Sequence, residues 1–342
     1  MRSGTCACEP GGRSEYPLGT MPDPSPAPTV LKGRAAPPGT TIGVVTPGSP
    51  AESRAEIERG IRWWESQGYR IRLMPSALDR LGWHAGSPET RARDLQEAFA
   101  DPEIDAILTM RGGYGSAQLI PLLDFEAIAR NPKAFIGLSD ITALHIALNR
   151  LIRLATLYGP SLTMFGDPDL SPLTADRLLT VLAGDSSGPV PEDPDRLTVV
   201  AICGGKASGR LVGGCLSDLT HTLATPWEVD LNGAIFFFEE VDRAPIQIDR
   251  ALLHLEQAGK FEGVKGVVVG ELSGCEWHEW TSAPRSRTLE EVLTARLGGL
   301  DVPVLYGLPL GHGASLATLP LGVDATVDAD ALTLTIDEPA LL

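Results

Sequence analysis

Beyond residue 40, short apolar and β-branched runs alternate with stretches whose hydrophobic positions recur at helical spacing. IGVV (42–45), RIRLM (70–74), AILTM (106–110) and AFIGL (134–138) predict strands, and 51–68, 88–101, 115–123 and 140–152 predict the helices between them. Strands spaced by helices are the signature of βαβ units, so a doubly wound, mainly parallel sheet is expected here. Further along, AIFFFE (234–239), GVVVGEL (266–272) and VPVLYGL (302–308) predict strands, and 215–224, 245–259 and 288–297 predict helices. The closing stretch 321–337 alternates every second residue, as antiparallel strands do. A second, C-terminal α/β domain with a mixed sheet follows from that pattern. No internal repeat is evident.

Two segments lack periodicity. Residues 1–37 are dense in Pro and Gly (EPGG, MPDPSPAP, AAPPGT), which predicts a disordered tail, with a docking arm as the functional alternative. GDSSGPVPEDPDR (184–196) has the composition of a linker. The expected organisation is therefore a tail (1–37), an N-terminal Rossmann-like domain (38–185), a linker (186–200) and a C-terminal domain (201–342). A chain of 342 residues with 43% hydrophobic residues has material for two domains that each bury a core.

Charge narrows the function classes. With 28 basic against 44 acidic residues, the formal charge of −16 repels phosphate backbones and anionic lipids, so neither a nucleic-acid nor a membrane partner is expected. No apolar run approaches the length of about 18 residues that a membrane helix needs, and the N-terminus shows no export or lipid-attachment pattern. A soluble, cytoplasmic protein is the expectation. Five scattered cysteines (Cys6, Cys8, Cys203, Cys215 and Cys275) fit neither a disulfide framework nor a zinc ribbon, and reduced structural thiols are expected. The cluster Cys275, Glu276, His278 and Glu279 has metal-ligand residue types at a spacing no standard site uses, so no metal is expected.

In a doubly wound sheet, ligands bind beyond the carboxyl ends of the strands. After AILTM comes Arg111-Gly112-Gly113-Tyr114-Gly115, whose glycines allow main-chain N–H groups to converge on an anion; an ordinary tight turn needs glycine as well. After AFIGL comes Ser139-Asp140 and at once a helix. This strand-to-helix elbow would present a hydroxyl at a helix N-terminus, but the same geometry suits a helix cap, which is the favoured reading on local grounds, and G-x-S-x-G is not met.

A serine nucleophile needs a base, and six histidines are available. His84 and His278 have surface contexts, His254 lies in an amphipathic helix, and His221 sits mid-helix as a core or interface candidate. His145 shares a helix with Ser139 but is turned about 240° away from it. His312, in Gly311-His312-Gly313 after a strand, is best placed. Glu239 ends a very apolar strand and is a candidate partner for the imidazole, with a salt bridge to an arginine such as Arg250 as the plain alternative; Glu240 points to the opposite face.

Taken together, IGVVTPGSP, RGGYGS, FIGLSDITALH, LYGP, GRLVGGCLSDL, FFFEEVDRAPIQIDR, GVVVGE, PVLYGLPLGHG and TLPLGVDA cover nearly everything after residue 40. In order and spacing they resemble the LD-carboxypeptidases, the muramoyltetrapeptide carboxypeptidases of the serine peptidase class. The resemblance implies a Ser-His-Glu triad of Ser139, His312 and Glu239, with an oxyanion hole made by the main-chain N–H groups of Gly113 and Asp140. It implies release of D-alanine from a murein tetrapeptide, no cofactor, and a homodimer. The chain departs from the family pattern at Cys215, where GGN is expected, and at Val241-Asp242-Arg243, where a glycine-containing turn is expected. Both changes bear on substrate choice. Two other readings remain: a related hydrolase of peptidyl or aminoacyl adenylates, and a non-catalytic module in which RGGYG holds a nucleotide phosphate.

Overall fold

The computed structural model describes residues 29–193, 198–276 and 287–342. Its first sheet has five parallel strands, β1 (Thr41–Val45), β2 (Arg70–Leu73), β3 (Ala106–Thr109), β4 (Ala134–Gly137) and β5 (Thr156–Tyr158), joined by helices α1 (Arg54–Ser66), α2 (Pro88–Ala100), α3 (Phe125–Arg130) and α4 (Thr142–Ile152). Helix starts follow the sequence closely: Ser53 and Ser87 cap α1 and α2 by accepting the N–H of Glu56 and of Thr90. The helix expected over 115–123 is instead a 3₁₀ turn, Ser116–Leu122, because Pro121 lies within it and cannot continue an α-helical ladder.

Helix α5 (Pro172–Leu182) leads to the second sheet. In chain order its strands are β6 (Gly188–Pro189), β7 (Val200–Cys203), β8 (Lys206–Cys215), β9 (Ala234–Val241), β10 (Gly266–Ser273) and β11 (Val304–Tyr306). Next in sequence, β12 (Leu319–Leu321) pairs antiparallel with β5 and so belongs to the first sheet, before β13 (Asp324–Asp328) and β14 (Thr333–Ile336) return to the second. The sheet orders are β12-β5-β4-β3-β1-β2 and β6-β14-β13-β8-β9-β10-β11-β7. The second is mixed: β8, β9, β10 and β11 run parallel, and β13, β14, β6 and β7 are antiparallel to their neighbours. Helices α6 (Leu216–His221), α7 (Pro245–Gln257) and α8 (Leu289–Leu297) complete this half.

Several boundaries differ from expectation. Residues 29–37 are not a loose tail: Leu31 bridges to Leu154, Gly33 bridges to Leu341, and Ala36 is fully buried. Main-chain hydrogen bonds, with the apolar groups of Val30, Leu31 and Ala36, dock this short segment, and three such positions are too few to show periodicity. Residues 1–28 lie outside the described part. Within the expected linker, β6 forms an edge of the second sheet. The ten-residue strand β8 escaped notice because its glycines and polar first half (KASGRLVGGC) hide the alternation.

The two halves do not bury separate cores. One cluster joins Val44, Ala106, Ala134 and Ile136 of the first sheet to Leu211, Ile235, Phe237 and Val268 of the second. Outer clusters cover the far face of each sheet. Side chains of a strand alternate between faces, so Ile235 and Phe237 enter the shared core while Phe236 and Phe238 enter the outer one. Continuing that count along β9 places Glu239 on the shared side and Glu240 on the other.

Candidate active site

Strand β4 ends at Gly137, Leu138 is extended, and Ser139 turns sharply with φ of 64° before the 3₁₀ turn Ser139–Ile141 runs into α4. A left-handed backbone at a non-glycine residue costs about 1–2 kcal/mol, so its neighbours must hold it. They do so from both sides. The Ser139 N–H donates to the Tyr158 hydroxyl at 3.0 Å, and the buried Asp140 carboxylate accepts the amides of Gly115 and Ser116 at 3.1 and 2.9 Å. Burial raises the Asp140 pKa, against these hydrogen bonds and Arg91, which lower it. The Ser139 side chain caps neither the 3₁₀ turn nor α4. Ser139 itself stays partly exposed on the elbow.

The glycine turn lies against this elbow. A Cβ on Gly112 would come within 2.7 Å of Ser139 Cβ, and Gly113 has φ of 101°, a conformation L side chains rarely adopt. Ser49 pins the turn: its N–H donates to Gly112 O at 3.1 Å, and its hydroxyl accepts the Tyr114 N–H at 3.1 Å. Arg91, only 1% exposed, braces it from behind through the carbonyls of Pro47 and Gly115 and through Gln118 Oε1. The Gly113 N–H donates to no group among the described residues. Arg91 carries no sequence signal, since an arginine in an amphipathic helix is normally solvated.

From the second sheet, Glu239 arrives fully buried at the carboxyl end of β9. It forms no ion pair or hydrogen bond with an arginine among the described residues. Its Oε2 accepts His312 Nδ1 at 2.7 Å and the His312 main-chain N–H at 3.1 Å, and its Oε1 accepts the Tyr158 hydroxyl at 2.5 Å. Gly311, with φ of 117°, lets the His312 loop approach closely, because a Cβ there would collide with the Glu239 carboxylate. Burial lowers the His312 pKa, but the Glu239 hydrogen bond and charge, aided by Glu240 and Asp218, outweigh it, so the net shift is upward. The assignment of Nδ1 as donor leaves Nε2 as the proton-accepting nitrogen.

Ser139 and His312 line one cavity of about 450 Å³, together with Gly112, Gly113, Leu138 and Ser161. Ser139 Oγ is not hydrogen-bonded to any described residue, an arrangement open to a substrate's carbonyl carbon. Charges of both signs ring the same cavity: Arg59 and Arg111, with Glu52, Glu56 and Asp167. Arg111 reaches Glu52 at 3.0 Å, a pair whose carboxylate is 74% exposed and therefore easily exchanged for another anion.

The remaining candidates fall elsewhere. His145 is buried and bonds through its ring to Gly137 O at 2.9 Å, so it braces the elbow. His84 stacks beside Tyr114, with ring centroids 5.4 Å apart. His221 and His254 are exposed, which removes His221 from the core. His278 and Glu279 lie outside the described residues, as do Cys6 and Cys8, while Cys203, Cys215 and Cys275 are free thiols. Among the described residues, no group of three or more His, Cys, Asp and Glu is placed to hold a metal ion. No helix among them is long and apolar enough to cross a membrane.

Both departures from the family pattern have structural roles. The Cys215 N–H donates to Thr142 Oγ1 at 2.9 Å, and its thiol faces Glu240 at 3.3 Å. Asp242 takes φ of 51°, so the turn after β9 keeps a left-handed residue without glycine. The residue that the sequence reading missed is Tyr158, whose hydroxyl touches both the elbow and Glu239. Its signal was modest: a tyrosine at the carboxyl end of β5, beside β4.

Comparison with known proteins identifies the family. Residues 42–159 match the LD-carboxypeptidase N-terminal domain, and 208–327 match the LD-carboxypeptidase C-terminal domain. The chain is 34% identical to the "Probable murein peptide carboxypeptidase" of Bacillus subtilis, over 90% of this chain and 94% of that protein. It is 32% identical to the microcin C7 self-immunity protein MccF of Escherichia coli, over 89% of this chain and 94% of that one. Among solved structures, apo MccF superposes with a TM-score of 0.83 at 29% identity, covering 91% of this chain and all of that one. The muramoyltetrapeptide carboxypeptidase of Oxalobacter formigenes gives 0.75 at 28% identity, covering 88% of this chain and all of that one. With both family domains matched in order on the two-sheet α/β fold, this chain belongs to the LD-carboxypeptidases and is a serine-type hydrolase.

Proposed function

We propose that this carboxypeptidase removes the terminal D-alanine of a murein tetrapeptide by hydrolysing its L,D bond, with Ser139, His312 and Glu239 as the catalytic triad. The observation that carries this reading is the Glu239–His312 pair at 2.7 Å, opening on the same cavity as a serine held on a strained elbow. His312 Nε2 takes the Ser139 proton as Oγ attacks the carbonyl carbon, and Glu239 stabilises the imidazolium that forms. The N–H groups of Gly113 and Asp140 receive the oxyanion. His312 then gives its proton to the departing amine, and water, deprotonated in the same way, releases the acyl group from Ser139.

A carboxypeptidase must also recognise a free carboxylate one residue beyond the bond it cuts. Arg111 adjoins the oxyanion turn and can answer that charge bidentately, exchanging Glu52, its present counter-ion, for the substrate. The acids on the same wall suit a diamino acid side chain in the acyl part. The cellular role that goes with this chemistry is trimming of recycled cell-wall peptides in the cytoplasm, by a homodimer.

The test is incubation of the purified protein with murein tetrapeptide, with mass-spectrometric detection of free D-alanine. Release is expected from the wild type, and Ser139→Ala should lower turnover by about 10³-fold or more while still folding. The likeness to MccF favours a second substrate class, an aminoacyl or peptidyl adenylate. Cleavage of such a compound, with no D-alanine released by enzyme in slight molar excess over tetrapeptide, would replace the murein reading.

A further inference from the structure

Tyr158 stands between the proposed nucleophile and the proposed acid. It ends β5, where it pairs with Gly137 across the sheet, one residue short of the elbow's extended Leu138. The side chain is fully buried, with the Phe237 ring at 5.5 Å and the His145 ring at 5.7 Å between centroids. Its hydroxyl makes two hydrogen bonds whose directions are fixed by chemistry. An amide can only donate, so the oxygen accepts the Ser139 N–H at 3.0 Å; its own proton then goes to Glu239 Oε1 at 2.5 Å.

We propose that Tyr158 is a positioning residue, which ties the nucleophile's backbone in the first sheet to the triad acid in the second through a single hydroxyl. The inference rests on the triad reading given above. Three consequences follow from the geometry. Glu239 keeps its two oxygens apart in role, Oε1 for Tyr158 and Oε2 for His312. The Ser139 N–H is withdrawn from the oxyanion site, which leaves that task to Gly113 and Asp140. The left-handed turn at Ser139 gains an anchor that does not depend on bound substrate.

Burial and the nearby charge of Glu239 push the Tyr158 pKa well above its ordinary value, so the phenol keeps its proton throughout the working range. Other titratable groups close to this network are Cys215, Glu240 and Asp218; His145 lies against the ring and is neutral there, its pKa lowered by burial to about 4. None of these four is hydrogen-bonded to the Tyr158 hydroxyl. The bridge is therefore specific to one phenol.

The experiment is Tyr158→Phe, which keeps the ring and removes the bridge, assayed for kcat, KM and the pH dependence of D-alanine release. Losing a hydrogen bond to a charged group should lower kcat by about 10- to 100-fold, with KM within about twofold. Without its donor at Oε1, Glu239 holds the His312 proton more tightly, so the acid limb of the pH–rate profile should move to higher pH. A purely structural tyrosine would lower thermal stability and leave that limb in place. Site-specific incorporation of a fluorinated tyrosine at position 158 keeps the fold and strengthens the donor, and should move the limb to lower pH.

An unchanged limb in both variants, or kcat within about twofold of the wild type for Phe, overturns the inference. If wild-type protein releases no D-alanine, the rate of Ser139 labelling by a fluorophosphonate replaces turnover as the readout. The same opposite shifts would then support Tyr158 while the tetrapeptide reading fails. A wild type inert to the probe as well removes the triad reading and this inference with it.

Discussion

At the end of the first sheet the proposed catalytic group is presented by the backbone, whereas at the end of the second sheet it is presented by burial. Ser139 follows a short strand, four residues from Ala134 to Gly137, and owes its position to φ of 64° and to amides drawn together by Asp140. Glu239 stands on an eight-residue strand with an all-apolar start, fully buried, and owes its position to the two-residue period of that strand. The first arrangement leaves a hydroxyl partly open to a ligand. The second places a carboxylate where few water molecules can compete with His312 and Tyr158 for it. On the proposed mechanism, one half supplies a nucleophile and oxyanion donors, and the other supplies the base and its support.

Breaking the second half should have the larger effect. Glu239→Gln keeps the shape but offers an amide where His312 and Tyr158 both donate, so we expect kcat for peptide hydrolysis to fall by about 10⁴-fold. The pH dependence adds a sign. Glu239 holds the His312 pKa up, and the neutral imidazole is the proposed base, so wild-type activity should be lost as pH falls through that raised value. In Glu239→Gln the residual activity should lose its acid limb at a lower pH. A loss of less than about tenfold would mean that burial of this acid serves folding alone.

Loosening the oxyanion turn of the first half should cost less than losing either its serine or that acid. Gly113→Ala puts a methyl group against Ser49 at φ of 101°, which tilts the N–H that faces the oxyanion. We expect kcat to fall by about 10²-fold with KM little changed, and stability to drop by about 1–2 kcal/mol, as read from thermal unfolding. An effect on KM alone would point to a turn that binds the ground state and has no special role for the transition state.

Much of this site was legible in the sequence, though not residue by residue. The strand-helix alternation located both sheets, and the rule that ligands sit beyond carboxyl ends pointed to the loops after β3 and β4. Locally, Ser139 reads as a helix cap more readily than as a nucleophile. Its left-handed turn depends on Gly112, Asp140 and Tyr158, which lie close only after folding. Glu239 was separated from Glu240 by strand parity, yet its partner could not be chosen, because His312 is 73 residues away along the chain. Family resemblance supplied that pairing. The shared core was misjudged for a related reason: β12 leaves the second half to pair with β5, a non-local contact that no local pattern announces. Arg91 and Tyr158 work through buried hydrogen bonds and carry almost no signal along the chain.

The central claim is that Ser139 is the nucleophile and that groups from the second sheet activate it. Peptide mapping by mass spectrometry after brief exposure to a fluorophosphonate tests both parts at once. A single adduct on Ser139 is expected in the wild type, with labelling at least about 10²-fold slower in His312→Ala. An adduct on a different serine, or equal labelling of Ser139 in the two proteins, would contradict the account.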